Sequence, residues 1–144
     1  MSTLVDVNVA FAILVERHAH HATAWDWWER QPAAGVLLCL PVRLGVLRLL
    51  TNARAMEGAP VGPDMALAAW DEMQADARAR PVELHSTPAT EICFRNNVAG
   101  RVPTPNLWTD ALLAAWAVTI GCRLTSFDGG FRSFPGLDFE WLGQ

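Results

Sequence analysis

The chain of 144 residues is 51% apolar and carries a formal net charge of −4. This composition indicates a compact folded chain, and the negative charge argues against a general nucleic-acid coat. All 11 basic residues are arginines, which excludes Walker A loops and Schiff-base chemistry because both require lysine. We expect a single domain over residues 1–144.

The cysteines indicate the compartment. Cys39, Cys93 and Cys122 lie far apart in predicted buried elements, and no C-x-x-C motif occurs. This pattern indicates free thiols in a reducing environment. The apolar run Leu4–Val15 is interrupted by polar residues and lacks a basic leader. We therefore expect a cytoplasmic protein with neither a signal peptide nor a membrane span.

The first part of the chain alternates apolar runs with helical patterns. Thr3–Val5 predicts a buried strand, and Asp6 follows it, before an apolar run that ends at Val15. A second strand is predicted at Val36–Leu40 and a helix at Pro41–Asn52. Asp6 thus lies at a strand end with a helix behind it, and helix capping explains one such residue.

A helix from about His21 to Arg30 carries three tryptophans. The preceding run His18–His21 has no Cys or acidic partner at metal-ligand spacing, so we interpret it as a solvated helix start. Trp25 and Trp28 are three residues apart and share a face, whereas Trp27 points away from them. Trp27 either packs under a neighbouring helix or is an exposed anchor for a partner.

The second part of the chain continues the alternation and ends on a nearly all-apolar helix followed by a strand. Thr109 is the predicted N-cap of that helix, and Gly121 is its C-cap. The predicted elements are a helix at Asp64–Ala77, a strand at Pro81–His85, a helix beginning at Thr87-Pro88, a loop at Arg95–Pro105, the apolar helix, a strand at Cys122–Ser126, a turn at Phe131–Phe134 and a strand at Leu137–Trp141.

This alternation predicts an α/β fold, with a parallel sheet covered by helices on both faces. Helix N-termini and strand C-termini lie on one edge of such a sheet, where ligands bind. Asp110 opens the apolar helix, Asp128 follows the next strand, and Asp6 follows the first. Alone, Asp110 could complement the helix dipole and Asp128 could be a turn residue. Three carboxylates at one edge instead indicate a divalent-cation site.

With these elements in this order, the chain resembles a known family, the PIN-domain ribonucleases, and within it the VapC-type toxins of toxin–antitoxin pairs. The matching stretches occur in the family order over nearly the whole chain. They are Leu4–Val9, Gly45–Asn52, Thr109–Ala115 and Leu124–Phe131, with Phe134–Leu137 behind the last. The resemblance implies a three-layer α/β/α sandwich with a mainly parallel sheet of four to five strands.

The resemblance also implies the chemistry. The family cuts RNA with Mg²⁺ or Mn²⁺ held by acidic residues, which correspond here to Asp6, Asp110 and Asp128. Ser126 falls where the family often has Thr or Ser, and Asn8 could orient a ligand. The implied products carry a 5′-phosphate and a 3′-hydroxyl.

The implied partners are RNA, a VapB-type antitoxin and, in a homodimer, a second copy of the chain. We expect the antitoxin to bind the tryptophan-bearing helix through Trp27, together with the helix after Pro41. Arg43, Arg95 and Arg101 are candidates for contacts to RNA phosphates.

One position departs from the family pattern. The family usually has Glu two residues before the glycine that corresponds to Gly45, whereas this chain has Arg43, which would cancel charge needed to hold a metal. An alternative function is therefore a catalytically weakened PIN domain that only binds antitoxin or RNA. In it, Arg43 would pair with Asp6 or Asp110.

A second alternative is a metal-free ribonuclease that uses His18, His20, His21 or His85 and leaves cyclic phosphate ends. We disfavour it because no histidine is predicted near the carboxylate edge.

Overall fold

Five strands and six helices alternate along the chain in a computed structural model that describes residues 1–144. In chain order the elements are β1 Thr3–Val5, α1 Val7–Leu14, α2 His21–Glu29, β2 Val36–Leu38, α3 Leu40–Leu50, α4 Pro63–Ala75, β3 Ala79–Pro81, α5 Pro88–Val98, α6 Leu107–Ile120, β4 Arg123–Ser126, a 3₁₀ turn at Gly129–Ser133 and β5 Phe139–Trp141.

All strand pairs are parallel, and the sheet order is β3-β2-β1-β4-β5. Helices α2, α3 and α4 pack around α1, while α5 packs against α6. The predicted three-layer α/β/α sandwich is confirmed, with five strands. The order grows outward in both directions from β1 and β4. This pair is the switch point at which parallel sheets open a crevice at the strand C-termini.

A continuous core of 31 buried apolar residues fills the space between the sheet and the helices. Helix α6 contributes Ala111, Leu113, Ala114, Trp116 and Ala117, as its nearly all-apolar sequence predicts. None of the helices combines the length and apolar character needed to cross a bilayer.

Several predicted boundaries need correction. Helix α6 begins two residues before Thr109, with Asn106 as N-cap, because buried Leu107 continues the apolar stripe at the spacing of Ala111. Strand β3 lies at Ala79–Pro81 instead of Pro81–His85.

Three other boundaries shift. Leu40 is the first residue of α3 and not part of a strand. The predicted loop at Arg95–Pro105 begins too early, since α5 continues to Val98. The turn predicted at Phe131–Phe134 is a 3₁₀ turn that begins at Gly129.

The prediction that Trp27 is an exposed anchor is wrong. Trp27 is 2% exposed, and its Nε1 donates a hydrogen bond to Glu140 Oε1 (2.6 Å). The inward face of α2 consists of Ala24, Trp27 and Trp28, at the i, i+3, i+4 spacing of one helix face. Trp25, predicted to share that face, is 41% exposed. The hydrogen bond from the indole N–H to half-buried Glu140 explains why Trp27 turns inward, and the sequence of α2 alone does not contain this partner.

Helices α1 and α3 approach closely at Gly45. A methyl group placed there would lie 2.6 Å from Cγ2 of Val7, well inside van der Waals contact. Val7 is β-branched and has little rotamer freedom in a helix, so it cannot move aside cheaply. Gly45 therefore sets the distance between the two helices that follow β1 and β2.

We predict that Gly45→Ala lowers the free energy of unfolding by about 1–3 kcal/mol, because the added methyl overpacks the α1–α3 contact. Urea denaturation measures the change. The variant Val7→Ala and the double variant complete a double-mutant cycle, in which Val7→Ala should offset part of the loss. A Gly45→Ala protein as stable as the wild type would contradict the prediction.

Candidate metal and nucleic-acid site

Asp6 links the end of β1 to the start of α1. It is the N-cap of α1, and its Oδ1 accepts from the Val7 backbone N–H (2.7 Å). The side chain is 7% exposed. Because β1 and β4 are paired in register at Val5 and Thr125, Asp6 lies beside Ser126 at the end of β4.

Ser126 is the centre of a hydrogen-bond cluster between the two strand ends. Its buried hydroxyl donates to Asp6 Oδ2 (2.7 Å) and accepts from the Asp128 backbone N–H (2.9 Å). Asn8 Nδ2 also donates to Ser126 Oγ (3.1 Å), while Asn8 Oδ1 accepts from the Phe127 N–H (3.2 Å). Ser126 and Asn8, predicted as supporting residues, thus orient Asp6 and the loop that carries Asp128.

Asp110 and Asp128 complete the set of predicted carboxylates. Asp110 lies in the first turn of α6, is half-buried and makes no side-chain hydrogen bond. Asp128 is exposed two residues beyond β4, where its Oδ1 accepts from the Gly130 N–H (2.8 Å). All three carboxylates line one cleft at the β1–β4 switch point.

Burial and the charge of neighbouring carboxylates raise the pKa values of Asp6 and Asp110. Burial is the larger cause of the raised pKa of Asp6, which the Ser126 and Val7 hydrogen bonds oppose and the charge of Asp128 reinforces. Burial, followed by the charges of Asp6 and Asp128, raises the pKa of Asp110 to about 7. The cleft thus concentrates negative charge, and the charge of a bound cation would relieve the repulsion.

The residues suit a hard divalent cation in donor chemistry, since Mg²⁺ and Mn²⁺ prefer carboxylate oxygens. The side chains as they stand do not bring three acidic or imidazole groups within range of one metal position. Asp110 makes no side-chain hydrogen bond that would fix its carboxylate. The donor set fits the predicted ion in its chemistry, and holding the ion would require the three side chains to move closer together.

The cleft has two arms that meet at Asp110 and Asp128. The larger arm, about 500 Å³, runs along α3 and is here called the α3 arm; Leu40, Leu44 and Arg48 form part of its wall. The second arm, about 330 Å³, is the Arg101 arm, lined by Arg101, Thr104, Leu107, Ser133 and Phe134. No histidine lines either arm, so the structure gives no support to the alternative of a metal-free, histidine-based ribonuclease.

A separate cavity of about 460 Å³ lies between α1, α2 and α4, and Trp25 and Trp28 form part of its lining. It contains none of the predicted site residues.

The position of Arg43 differs from the prediction. It lies in the first turn of α3 as expected, but it does not line the carboxylate cleft. The proposed ion pair of Arg43 with Asp6 or Asp110 is absent, because the three ion pairs of the chain all involve other residues. The rotation of α3 about its axis explains this. The helix presents Leu40, Leu44 and Arg48, which are four residues apart on one face, to the cleft.

Arg48 lines the cleft but is not among the residues predicted from the sequence. Its spacing from Leu40 and Leu44 was a usable signal, but only a known cleft tells which stripe of α3 faces it. Of the other predicted phosphate contacts, Arg101 borders the cleft, whereas Arg95 is exposed and paired with Glu91 (2.7 Å).

Comparison with known proteins identifies the family of the chain. The family model of the PIN domain matches residues 3–137. The chain belongs to the PIN-domain family. Among its relatives, ribonuclease VapC41 of Mycobacterium tuberculosis is 32% identical, with 98% of this chain and 99% of the relative covered. Ribonuclease VapC25 of the same organism is 31% identical, with 93% and 94% covered. This PIN domain is of the VapC type.

Solved structures share the fold of this PIN domain. The M. tuberculosis toxin VapC20, which cleaves the sarcin-ricin loop, superposes with a TM-score of 0.65 at 22% identity, covering 94% of this chain and 98% of that one. VapBC2 of Rickettsia felis, bound to a DNA fragment from its promoter, gives a TM-score of 0.63 at 12% identity, covering 97% and 98%. At these identities the likeness concerns the fold alone.

We predict that Asp110→Asn stabilises the metal-free PIN domain increasingly as the pH rises. The folded pKa of Asp110 is raised above the unfolded value of 3.8 to about 7, so its ionisation costs no stability below pH 4 and its full cost above pH 7. Removing the charge should add roughly 1 kcal/mol at pH 8, after allowance for solvent screening.

Urea denaturation in EDTA from pH 4 to pH 8 measures this effect. Asp64→Asn is the matched control, because Asp64 also lies in the first turn of a helix but outside the cleft. Parallel stability curves for Asp110→Asn and the wild type would contradict the raised pKa.

Proposed function

We propose that this PIN domain is the toxin of a toxin–antitoxin pair, an endoribonuclease that depends on Mg²⁺ or Mn²⁺. The observation that carries the proposal is the convergence of Asp6, Asp110 and Asp128 on one cleft at the β1–β4 switch point. The full-length similarity to VapC41, named a ribonuclease, supports the choice of RNA as the substrate.

The proposed roles follow from how each carboxylate is held. Asp6 and Asp128 are oriented by hydrogen bonds, so they are suited to bind the ion directly. Asp110 has no such bond and is suited to complete the site or to orient the attacking water. A bound divalent cation would activate water and neutralise the charge that develops on the phosphorus oxygens. Ser126 and Asn8 keep Asp6 in place while the substrate binds.

The weakened, purely binding PIN domain is the less supported alternative. It depended on Arg43 neutralising the carboxylates, and Arg43 neither lines the cleft nor pairs with an aspartate. Arg48, which does line it, stands at the wall of the α3 arm, where it could contact an RNA phosphate.

We predict that Asp6→Asn, Asp110→Asn and Asp128→Asn each lower RNA cleavage at least about 100-fold while the fold persists, because each removes a charged metal ligand or water-orienting group. Cleavage of a labelled RNA, with circular dichroism for the fold, tests this. Titration of Mn²⁺ by calorimetry gives a second readout, in which each variant should bind the ion more weakly.

Asp26→Asn, an exposed substitution on α2, is the control and should cleave normally. The cleaved ends should be a 5′-phosphate and a 3′-hydroxyl. Cyclic phosphate ends, or activity that survives EDTA, would contradict the metal-dependent mechanism.

The proposed partner is a VapB-type antitoxin, and the α3 arm is its proposed docking surface. Leu40 and Leu44 are 60% and 49% exposed, and they stand one turn apart in the wall of the cleft. Exposed leucines suit the apolar face of a peptide better than they suit a polyanion. An antitoxin there would also cover the carboxylates. A homodimer is proposed from the resemblance, and analytical ultracentrifugation of the isolated chain tests it.

We predict that Leu44→Glu prevents co-purification of the co-expressed antitoxin, because the new carboxylate would be desolvated in an apolar contact. Ile120→Glu is the control, since Ile120 is 47% exposed at the opposite end of α6 from Asp110. An intact complex with Leu44→Glu would move the docking surface away from α3.

A further inference from the structure

The Arg101 arm is a second way into the carboxylate cleft. It includes Asp110 and Asp128 but no residue of α3, and its walls come from the segment before α6, from the start of α6 and from the 3₁₀ turn that Asp128 caps. A substrate chain bound at the carboxylates could therefore continue in both directions, along α3 and into this arm. Its volume of about 330 Å³ is at the lower end of the range for small-ligand pockets.

The guanidinium of Arg101 is held in a fixed position in this arm. Its Nη1 donates to Ser133 Oγ (2.6 Å) and its Nη2 to the Ser133 carbonyl oxygen (2.8 Å). Its central carbon lies 4.3 Å from the centre of the Phe134 ring. A guanidinium held by hydrogen bonds and an aromatic face loses little side-chain entropy when a ligand binds.

The charge of Arg101 has no partner in the chain. The ion pairs of the chain are Arg78–Asp76, Arg95–Glu91 and Arg123–Asp138. A guanidinium has five N–H donors, and Ser133 uses two of them, so three remain for an anion. Arg101 is thus an ordered, unpaired cation in a pocket that shares two carboxylates with the metal site.

We propose that the Arg101 arm is a nucleotide subsite in which Arg101 binds a backbone phosphate of single-stranded RNA on one side of the scissile bond. The RNA then crosses the carboxylates and continues past Arg48 in the α3 arm. A phosphate accepts hydrogen bonds from the planar set of guanidinium N–H donors, and an RNA backbone carries a phosphate at every nucleotide. The subsite rests on the proposed ribonuclease function.

Arg101 also has a possible structural role, which the test must separate. Ser133 Oγ, which accepts from Arg101, donates to the Gly130 carbonyl oxygen (2.7 Å), and the Gly130 N–H donates to Asp128. Loss of Arg101 could thus disturb the Asp128 loop without any phosphate contact. Such a disturbance would lower kcat, whereas a lost phosphate contact raises KM and weakens the salt dependence of binding.

The experiment compares the wild type with Arg101→Gln, Arg101→Lys and the control Arg95→Gln, using a fluorescent single-stranded RNA. Arg95 is an exposed arginine outside both arms and already paired with Glu91. Cleavage with Mn²⁺ gives kcat and KM at several salt concentrations. Fluorescence anisotropy in EDTA gives RNA affinity without cleavage.

Arg101→Gln should raise KM and weaken RNA binding about tenfold, with kcat nearly unchanged. Its salt dependence, as the slope of log K against log salt, should fall by about 0.7, the value for one phosphate contact on a single strand. Arg101→Lys keeps the charge and should keep the wild-type slope, and Arg95→Gln should match the wild type in KM and kcat.

The other outcomes are decisive as well. Equal loss of kcat in Arg101→Gln and Arg101→Lys, with unchanged slopes, would make Arg101 only a structural support of the Asp128 loop. Unchanged RNA binding with a weakened antitoxin complex would assign the arm to the protein partner. Either result overturns the subsite while the ribonuclease function stands. A wild-type protein that neither binds nor cleaves RNA would overturn the proposed function and the subsite together.

Discussion

The hydroxyl of Ser126 joins the two strand ends on which the cleft depends. It donates to Asp6 at the end of β1 and accepts from the Asp128 backbone in the loop after β4. Asn8 binds the same hydroxyl and the Phe127 N–H, so the first turn of α1 is tied to that loop as well. Because the donor and both acceptor positions of this buried hydroxyl are used, disturbing it is costly, and the cluster holds Asp6 and the Asp128 loop in place.

The negative charges in the cleft are electrostatically unfavourable in the metal-free protein. Asp6 is buried at the strand end and Asp110 half-buried in the first turn of α6, and burial together with mutual repulsion raises the pKa of both. The fold tolerates this cost because the core and the Ser126 cluster stabilise the same region. Sites that store such repulsion are typical of binding and catalysis, where a cation or substrate relieves it.

The outermost strand β5, next to β4, supports the loop that carries Asp128. Glu140 on β5 accepts from the Trp27 indole (2.6 Å) and from the Thr125 hydroxyl (3.0 Å), joining α2, β4 and β5. Trp141 donates to the Phe127 carbonyl oxygen (2.9 Å), next to Asp128. The edge strand therefore fixes both the inward turn of Trp27 and the backbone before the third carboxylate. Neither pairing is visible in local sequence, because the partners are 113 and 14 residues apart.

The sequence by itself determined the alternation of strands and helices, the parallel sheet and the shared edge of Asp6, Asp110 and Asp128. Apolar periodicity and capping residues encode these locally, and the topology of a parallel sheet does the rest. Tertiary structure alone decided that Trp27 is buried and that α3 turns Arg48, not Arg43, to the cleft. A helix with apolar residues on several faces can pack in more than one rotation, and only the neighbouring elements choose among them.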